Sequence, residues 1–428
     1  MSAQRGTVTI ESIAAGGAGV GRLPDGRAVF VQRTAPGDEA LIEVTREKKR
    51  WTSGRLLKVL SAGPGRRTAP CPHYARCGGC TIEHLHYDHQ LEIKARIVYD
   101  ALKRIGGIDV ATMPPVTPSP KEFQYRNRVS FTLVRLLDGR VLAGFHEIDR
   151  PDRVLDISDK CLLPEPSLAT AWGNLRAGWG EQASFLPSGE KLRLTLRSTA
   201  KGDAGLVIDG GYSAGQPDRL LQNVPQLRTI WHRPASASDY KHIAGEVAFD
   251  ESWSDEDVAL SGAVFLQVNR AAAAALEQHV LQRAQAAGGR TVIDAYCGIG
   301  LHARRLARLG QRVLGIELNE QAIAEARRDA PEGAEFVVGR VEDELPKHLP
   351  ADLVIVNPPR TGLDPVAADS LVSIKPAHVI YVSCDPATLA RDLAKLKAAY
   401  SITGLQCFDL FPQTTHVETV VELTCVTS

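Results

Sequence analysis

Two residues in the last third of the 428-residue chain could do covalent chemistry together. Cys384, in Ser383-Cys384-Asp385-Pro386, follows the apolar run Ile380–Val382 and precedes a helical pattern at Ala387–Leu396, which puts it at the end of a strand and the start of a helix. A helix N-terminus favours the thiolate, so the position predicts a lowered cysteine pKa. Glu418, in Phe411-Pro-Gln-Thr-Thr-His416-Val-Glu418, lies on a loop leading into the last strand, where its carboxylate can face the same cleft. A lone cysteine is more often a small buried residue than a nucleophile, and the acid beside it is what changes that balance. A thiolate can add to an electron-poor ring carbon, and a carboxylate can later remove the proton that lets the thiolate leave.

A second group of residues points to a nucleoside ligand. The strand Val292-Ile-Asp-Ala-Tyr296 runs into Cys297-Gly298-Ile-Gly300, where Gly298 and Gly300 let backbone approach a ligand, and then into a helix beginning near His302. The following strand, Val313–Glu317, ends in Glu317, 23 residues after Asp294, where such folds present a carboxylate to ribose hydroxyls. The turn lacks a full G-x-G-x-x-G, which argues against a dinucleotide and for a smaller ligand such as S-adenosylmethionine. Leu353–Val356 then delivers Asn357-Pro-Pro-Arg360 to the same edge. In amino-methylating enzymes an N-P-P-aromatic motif holds the target amine, but here Arg360 replaces the aromatic. A methyl donor beside a nucleophile and a base suits carbon methylation of a pyrimidine, because C5 of uracil becomes nucleophilic only after a thiolate adds to C6.

These residues need a sheet to align them. From residue 261 apolar strands alternate with amphipathic helices, the signature of a doubly wound parallel sheet. The strands expected are Thr291–Tyr296, Arg312–Glu317, Ala334–Val338, Leu353–Val356 and His378–Ser383, closed by Gly404–Phe408 and Thr419–Thr424. Near the N-terminus, short β-type runs at Gly6–Ile10, Ala28–Val31, Ala40–Val44 and Trp51–Val59 are separated by Gly, Pro and Asp turns, which predicts a small β-barrel. Tyr87–Ile105 carries a helical pattern, and residues 121–256 read as mixed strands and turns. The expected fold is therefore an α/β Rossmann-like domain with an N-terminal barrel and a strand-rich centre. Its parts are 1–62 for the barrel, 67–90 with 120–256 for the centre, and 91–119 with 257–428 for the Rossmann-like domain.

The chain carries 50 Lys plus Arg and 50 Asp plus Glu, so any contact with a polyanion must come from local patches. Residues 1–70 hold such a patch, with twelve cations against six acids; a basic stretch is also what an ordinary solvated face looks like. Gln124-Tyr-Arg-Asn-Arg-Val129 pairs cations with an aromatic and is a second candidate RNA contact, with a solvated strand edge as the plain alternative. No segment reaches the roughly 20 apolar residues a membrane span needs, and no apolar signal region follows Met1-Ser-Ala-Gln-Arg5, so a cytoplasmic, membrane-free monomer is expected. Eight cysteines are too few for a disulfide scaffold of this length. Three of them, Cys71, Cys77 and Cys80, share one Pro/Gly-rich loop, which marks a metal site that zinc or an iron–sulfur cluster would satisfy.

Val292–Gly300, Asn357-Pro-Pro-Arg360, Ser383–Pro386 and Phe411–Glu418, in this order and spacing, resemble the RNA (uracil-5-)-methyltransferase family, which makes 5-methyluridine in ribosomal and transfer RNA. The resemblance extends over nearly the whole chain: the barrel looks like a TRAM domain, and Phe265-Leu-Gln267-Val-Asn269 looks like the motif opening the catalytic domain. It implies Cys384 as nucleophile, Glu418 as base, and Gln267, Tyr296, Glu317 and Asn357 in the cofactor and uracil pocket. Many members have Asp where this chain has Asn357; Asn can still accept from uracil N3–H and donate to O4. Leu301 stands where some members carry a polar residue, and Cys297 reads as structural. The resemblance also implies a [4Fe–4S] cluster held by Cys71, Cys77 and Cys80 with Cys161 as the distant fourth ligand. RNA is the implied substrate, with ribosomal RNA favoured over transfer RNA by the TRAM-like domain. Amino-methylation of adenine would leave Cys384 and Glu418 idle, and a non-enzymatic RNA-binding scaffold would have no use for either.

Overall fold

A computed structural model of the chain describes residues 4–253, 256–261 and 266–426. Their strands form a closed barrel, a seven-stranded sheet, a two-stranded hairpin and an eight-stranded sheet. The barrel is built from Arg5–Ile13, Gly19–Arg22, Ala28–Val31, Glu39–Glu47 and Trp51–Ser61. Alternate residues Val8, Ile10, Val29, Val31, Ala40 and Ile42 fill its interior. Gly19–Arg22 carries too little apolar pattern to be read as a strand from sequence. Its glycine is required by packing, since a Cβ on Gly21 would lie 2.5 Å from the carbonyl oxygen of Thr9 on the neighbouring strand.

The central sheet runs in the order Lys241–Gly245, Leu227–Arg233, Ala204–Asp209, Lys191–Ser198, Arg128–Arg135, Val141–His146 and Val154–Asp156. One face is apolar, with Phe131, Leu133, Leu194 and Leu206 packed under Trp172, whose ring stacks on Phe131 at 4.1 Å between centroids. Trp172 belongs to a helix, Pro166–Gly178, and a second short helix covers Pro217–Asn223. Neither is expected from the strand-rich reading of 121–256. Each is short and starts at a proline that suits a first turn but otherwise reads as a loop signal.

The eight-stranded sheet runs Ala334–Val338, Arg312–Glu317, Thr291–Ala295, Leu353–Val356, His378–Ser383, Glu418–Cys425, Tyr400–Phe408 and Val116–Thr117. The first five strands are parallel, and Glu418–Cys425 lies antiparallel to both of its neighbours. Leu353–Val356 is buried along its whole length, as expected of a strand covered by helices on both faces. The chain winds outward from Thr291–Ala295 in one direction and restarts at Leu353–Val356 in the other, and the crevice between them opens at their carboxyl ends. The helix Tyr87–Arg104 packs on Pro386–Leu396, and Val116–Thr117 adds an edge strand, so residues before the central sheet complete the catalytic layer. Among the described residues no helix is long and apolar enough to cross a membrane.

Candidate active site

The crevice is a cavity of about 1200 Å³ whose wall includes Gln267, Tyr296, Gly298, Glu317, Asn357, Cys384 and Glu418. Seven of the eight catalytic and cofactor-site residues expected from sequence therefore meet in one space. Phe265, part of the motif around Gln267, lies outside the described residues.

Tyr296, Glu317, Asn357, Cys384 and Glu418 are set at or next to strand ends. Glu317 closes Arg312–Glu317, and its carboxylate is oriented by backbone amides on both sides: Gly298 N donates to Oε2 at 3.2 Å and Asn319 N to Oε1 at 2.9 Å. Gly298 has φ +56 and open space where a Cβ would be, which fits close approach of a ligand. Gly300 serves a different purpose from the one expected. It caps the helix Leu301–Arg308 at φ +73, and a Cβ there would stand 2.5 Å from the Phe336 ring, so packing rather than a ligand requires this glycine. It does not line the cavity wall. Behind the turn, Asp294 is buried, accepts from Ala303 N at 3.2 Å and is pushed up to about 7 by burial. Cys297 packs against the core around Phe336 and not on the cavity wall, consistent with the structural reading.

Cys384 and Glu418 are brought together by sheet register. Ser383 pairs with Thr419 across antiparallel strands, so the next residues outward are Cys384 on one chain and Glu418 on the other. Glu418 is buried, and burial pushes its carboxyl up to about 7, with Arg360 opposing the shift. The lowered thiol pKa expected for Cys384 is not what the site produces: burial pushes it up, the Glu418 and Asp385 charges add to that, and Arg360 opposes it. The helix end that would have favoured the thiolate is already occupied. The Asp385 carboxylate accepts from Ala387 N at 3.0 Å and Thr388 N at 2.9 Å, placing a negative charge between the thiol and the helix.

Arg360 is the functional residue that sequence reasoning undervalued. In the sequence it reads only as the loss of an aromatic, whereas in the cavity it is the cation shared by Cys384 and Glu418. Its pairing follows from strand order, which no local pattern in the sequence reveals.

Cys71, Cys77, Cys80 and Cys161 line a second, small cavity together with Phe123, Phe145 and Glu83. All four are free thiols, and burial and mutual repulsion push Cys77, Cys80 and Cys161 up, Cys161 to about 12. The loop is held from outside: Gly79 N donates to Cys77 Sγ at 3.3 Å, Cys71 N to Glu83 Oε1 at 2.7 Å, and Arg33 of the barrel to the carbonyls of Cys80 at 2.7 Å and Tyr74 at 2.8 Å. Among the described residues no three His, Cys, Asp or Glu side chains converge as a single metal ion requires. What the four cysteines share is the lining of one small cavity.

The two basic segments are narrower than their sequences suggest. In 124–129, Tyr125 is buried with its hydroxyl on Pro412 O at 3.0 Å, and Asn127 donates to Gln267 O at 3.1 Å, which makes both internal struts. In residues 1–70, Arg5, Arg22, Arg27, Arg55, Arg66 and Arg67 are paired with acids. The exposed turn between Glu39–Glu47 and Trp51–Ser61 presents Arg46, Lys48, Lys49 and Arg50 together.

The chain matches the tRNA (uracil-5-)-methyltransferase family over residues 338–426, a methyltransferase domain over 292–372 and the TRAM domain over 2–57. It is 35% identical to an uncharacterized RNA methyltransferase of Gloeobacter violaceus, covering 99% of this chain and 97% of that protein. It is 33% identical to another from Halalkalibacterium halodurans, covering 97% and 96%. Among solved structures, Pyrococcus abyssi tRNA (uracil-54, C5)-methyltransferase in complex with S-adenosyl-L-homocysteine superposes with a TM-score of 0.75 at 30% identity, covering 98% of this chain and 100% of that one.

Proposed function

The chain belongs to the RNA (uracil-5-)-methyltransferase family, and on that footing we propose that it methylates C5 of a uridine in structured RNA, with Cys384 as nucleophile and Glu418 as base. The observation that carries this reading is the thiol and the carboxylate meeting across adjacent strands in the cavity that also holds Glu317. S-adenosylmethionine, when bound, supplies the methyl group. Gly298 and Glu317 are suited to hold its nucleoside part, and Asn357 and Gln267 to hold the uracil. Cys384 loses its proton to solvent and its thiolate adds to C6, which breaks the C5–C6 double bond and moves its electron pair onto C5, so that C5 can take the methyl. Glu418 then removes the C5 proton, the C5–H electron pair forms the C5–C6 double bond, and the C6–sulfur bond breaks to release Cys384 as thiolate. A carboxyl near 7 divides its population between base and acid at neutral pH, which suits removal of a carbon-bound proton. The target uridine must be unpaired or flipped out for its C6 to reach Cys384.

The four-cysteine cavity supports a [4Fe–4S] cluster held by Cys71, Cys77, Cys80 and Cys161. Holding a cluster would require these thiols to ionise, and its positively charged iron core would compensate the thiolate charges. A ribosomal target was favoured on the strength of the barrel, but the transfer-RNA enzyme from Pyrococcus abyssi is matched along its full length, so a barrel does not by itself select ribosomal RNA. Mapping 5-methyluridine in ribosomal and transfer RNA from cells with and without the gene tests the activity and names the RNA; no lost position in either pool would refute it. In vitro, Glu418→Gln should accumulate a protein–RNA adduct that survives denaturing electrophoresis.

A further inference from the structure

Gln413 is buried, does not line the catalytic cavity, and holds a backbone conformation, φ +69, that non-glycine residues rarely adopt. Such a conformation persists only where its surroundings over-determine it, and here they do. The Gln413 carbonyl accepts from Thr81 N at 2.9 Å and Ile82 N at 3.1 Å, the two residues that follow Cys80. Its amide donates to Gln90 Oε1 at 2.9 Å. Its side-chain oxygen accepts from Gln90 Nε2 at 2.8 Å and Arg67 Nη2 at 3.1 Å, and its side-chain nitrogen donates to the Glu122 carbonyl at 3.1 Å. One residue thus joins the cysteine loop, the helix Tyr87–Arg104 and the approach to the central sheet. Glu418 lies five residues further on. As the first residue of its strand, Glu418 has ladder support only on its C-terminal side. The course of the chain before it is set by loop 409–417, which is held at Asp409 by Lys94 and Tyr87, at Pro412 by Tyr125 and at Thr415 by Ala15, with Gln413 making the largest set of bonds in its middle.

We propose that Gln413 is a positioning residue: it locks loop 409–417 to the cysteine loop and thereby sets where the Glu418 carboxylate stands, so that proton removal depends on a group outside the cavity. The proposal rests on Glu418 being the base. It makes the step after methyl transfer the sensitive one. If the carboxylate is displaced, addition of Cys384 and methyl transfer still proceed, but the C5 proton stays, the C6–sulfur bond cannot break, and the methylated adduct persists.

The test is adduct trapping with radiolabelled methyl donor on wild type, Gln413→Leu, Gln413→Glu, Gln90→Leu and Glu418→Gln. Gln413→Leu keeps the bulk and the backbone bonds but removes three side-chain bonds. It should lower kcat by about ten- to a hundredfold and raise the adduct fraction in step, as a displacement on the order of 1 Å would, while kcat/KM for RNA, which reports the steps up to methyl transfer, stays close to wild type. Gln413→Glu keeps an acceptor for Arg67 and Gln90 and should recover most of the rate. Should Gln413→Leu not fold, Gln90→Leu carries the decision, with the same signature at smaller size. A loss of kcat without adduct, or no change in either quantity, overturns the role of Gln413. Glu418→Gln separates the two levels: no adduct there refutes the base itself, whereas adduct there and none in the Gln413 and Gln90 variants refutes only the inference.

Discussion

The catalytic cavity and the cysteine cavity both gather thiols from loops, and they do so for opposite ends. The first is large, holds one cysteine, and sets it against a carboxylate and an arginine. The second is small, encloses four cysteines, and offers them mostly each other and aromatic walls. Burial pushes the thiols up in both, so a raised thiol pKa is no mark of function by itself. What distinguishes the sites is the neighbour that can change the thiol's charge. In the catalytic cavity it is Arg360 with an ionisable Glu418; in the other Arg33 and Arg126 oppose the shift, but burial and the neighbouring thiols outweigh them. One arrangement suits a bond made and broken in every turnover, the other a ligand set held throughout.

Removing one thiol from each site gives the largest expected contrast. Cys384→Ala should abolish turnover and adduct formation while leaving the metal content and the fold intact. On the proposed cluster, Cys161→Ser should lose bound iron and lower thermal stability, with turnover reduced but measurable, because every side chain in the proposed reaction remains. Adduct formation by Cys384→Ala, or unchanged metal and melting in Cys161→Ser, would break the comparison on that side. Protein purified without oxygen should be brown and hold about four irons per chain; stoichiometric zinc without iron would overturn the cluster.

A middle-sized effect concerns Glu418. Its carboxyl is pushed from 4.5 to about 7 on folding, so the folded state binds more protons than the unfolded one between those values. Stability should therefore fall as pH rises through that window and level off above it, by at most roughly 3 kcal/mol. Glu418→Gln removes this dependence and should melt higher than wild type at pH 8 but not at pH 4, even as it stalls turnover. Equal melting differences at both pH values would show that the carboxyl is not shifted. The rate of proton removal should itself climb through about pH 7 in wild type, as the base ionises.

The catalytic cavity was largely legible in the sequence because its residues sit at the ends of apolar strands, and strand ends in a doubly wound sheet share one edge. Arg312–Glu317, Ala334–Val338, Leu353–Val356 and His378–Ser383 have the bounds expected of them. Legibility failed where a long-range contact outweighs local pattern. The Cys384 thiol was read from its helix alone, and the Asp385 cap and the opposed Glu418 reverse the sign. Gly300 was read as ligand-facing although Phe336, 36 residues away, needs the space. The helices Pro166–Gly178 and Pro217–Asn223 owe their stability to packing on the central sheet, which a short pattern does not carry. Gln413 is the clearest case: all of its partners lie more than 290 residues earlier, and nothing near it in sequence announces them.

The smallest expected effect lies outside both cavity linings, on a hairpin of the barrel. Twelve cations against six acids in residues 1–70 suggest a phosphate-binding surface, but most of the arginines are already neutralised by acids of their own. The exposed cations that cluster are Arg46, near the end of Glu39–Glu47, and Lys48, Lys49 and Arg50 in the turn after it, with Arg46 over the Trp51 ring at 5.7 Å. Contacts from such a turn would hold RNA by its backbone and release counterions on binding, so they act on affinity and salt dependence and not on chemistry. Replacing Lys48, Lys49 and Arg50 by Ser should raise KM for long RNA by about tenfold and lower the slope of log affinity against log salt by about two to three. Turnover at saturating RNA should stay within about twofold of wild type, because the reacting groups lie beyond residue 260 and their geometry does not pass through this turn. Deleting the whole barrel is the blunter comparison, since Arg33 and Ala15 also brace the cysteine loop and the loop before Glu418. A deletion that lowers kcat while the triple substitution does not would separate bracing from gripping. Equal salt slopes for wild type and the triple variant would leave the turn a solvated surface, with bracing as the barrel's whole contribution.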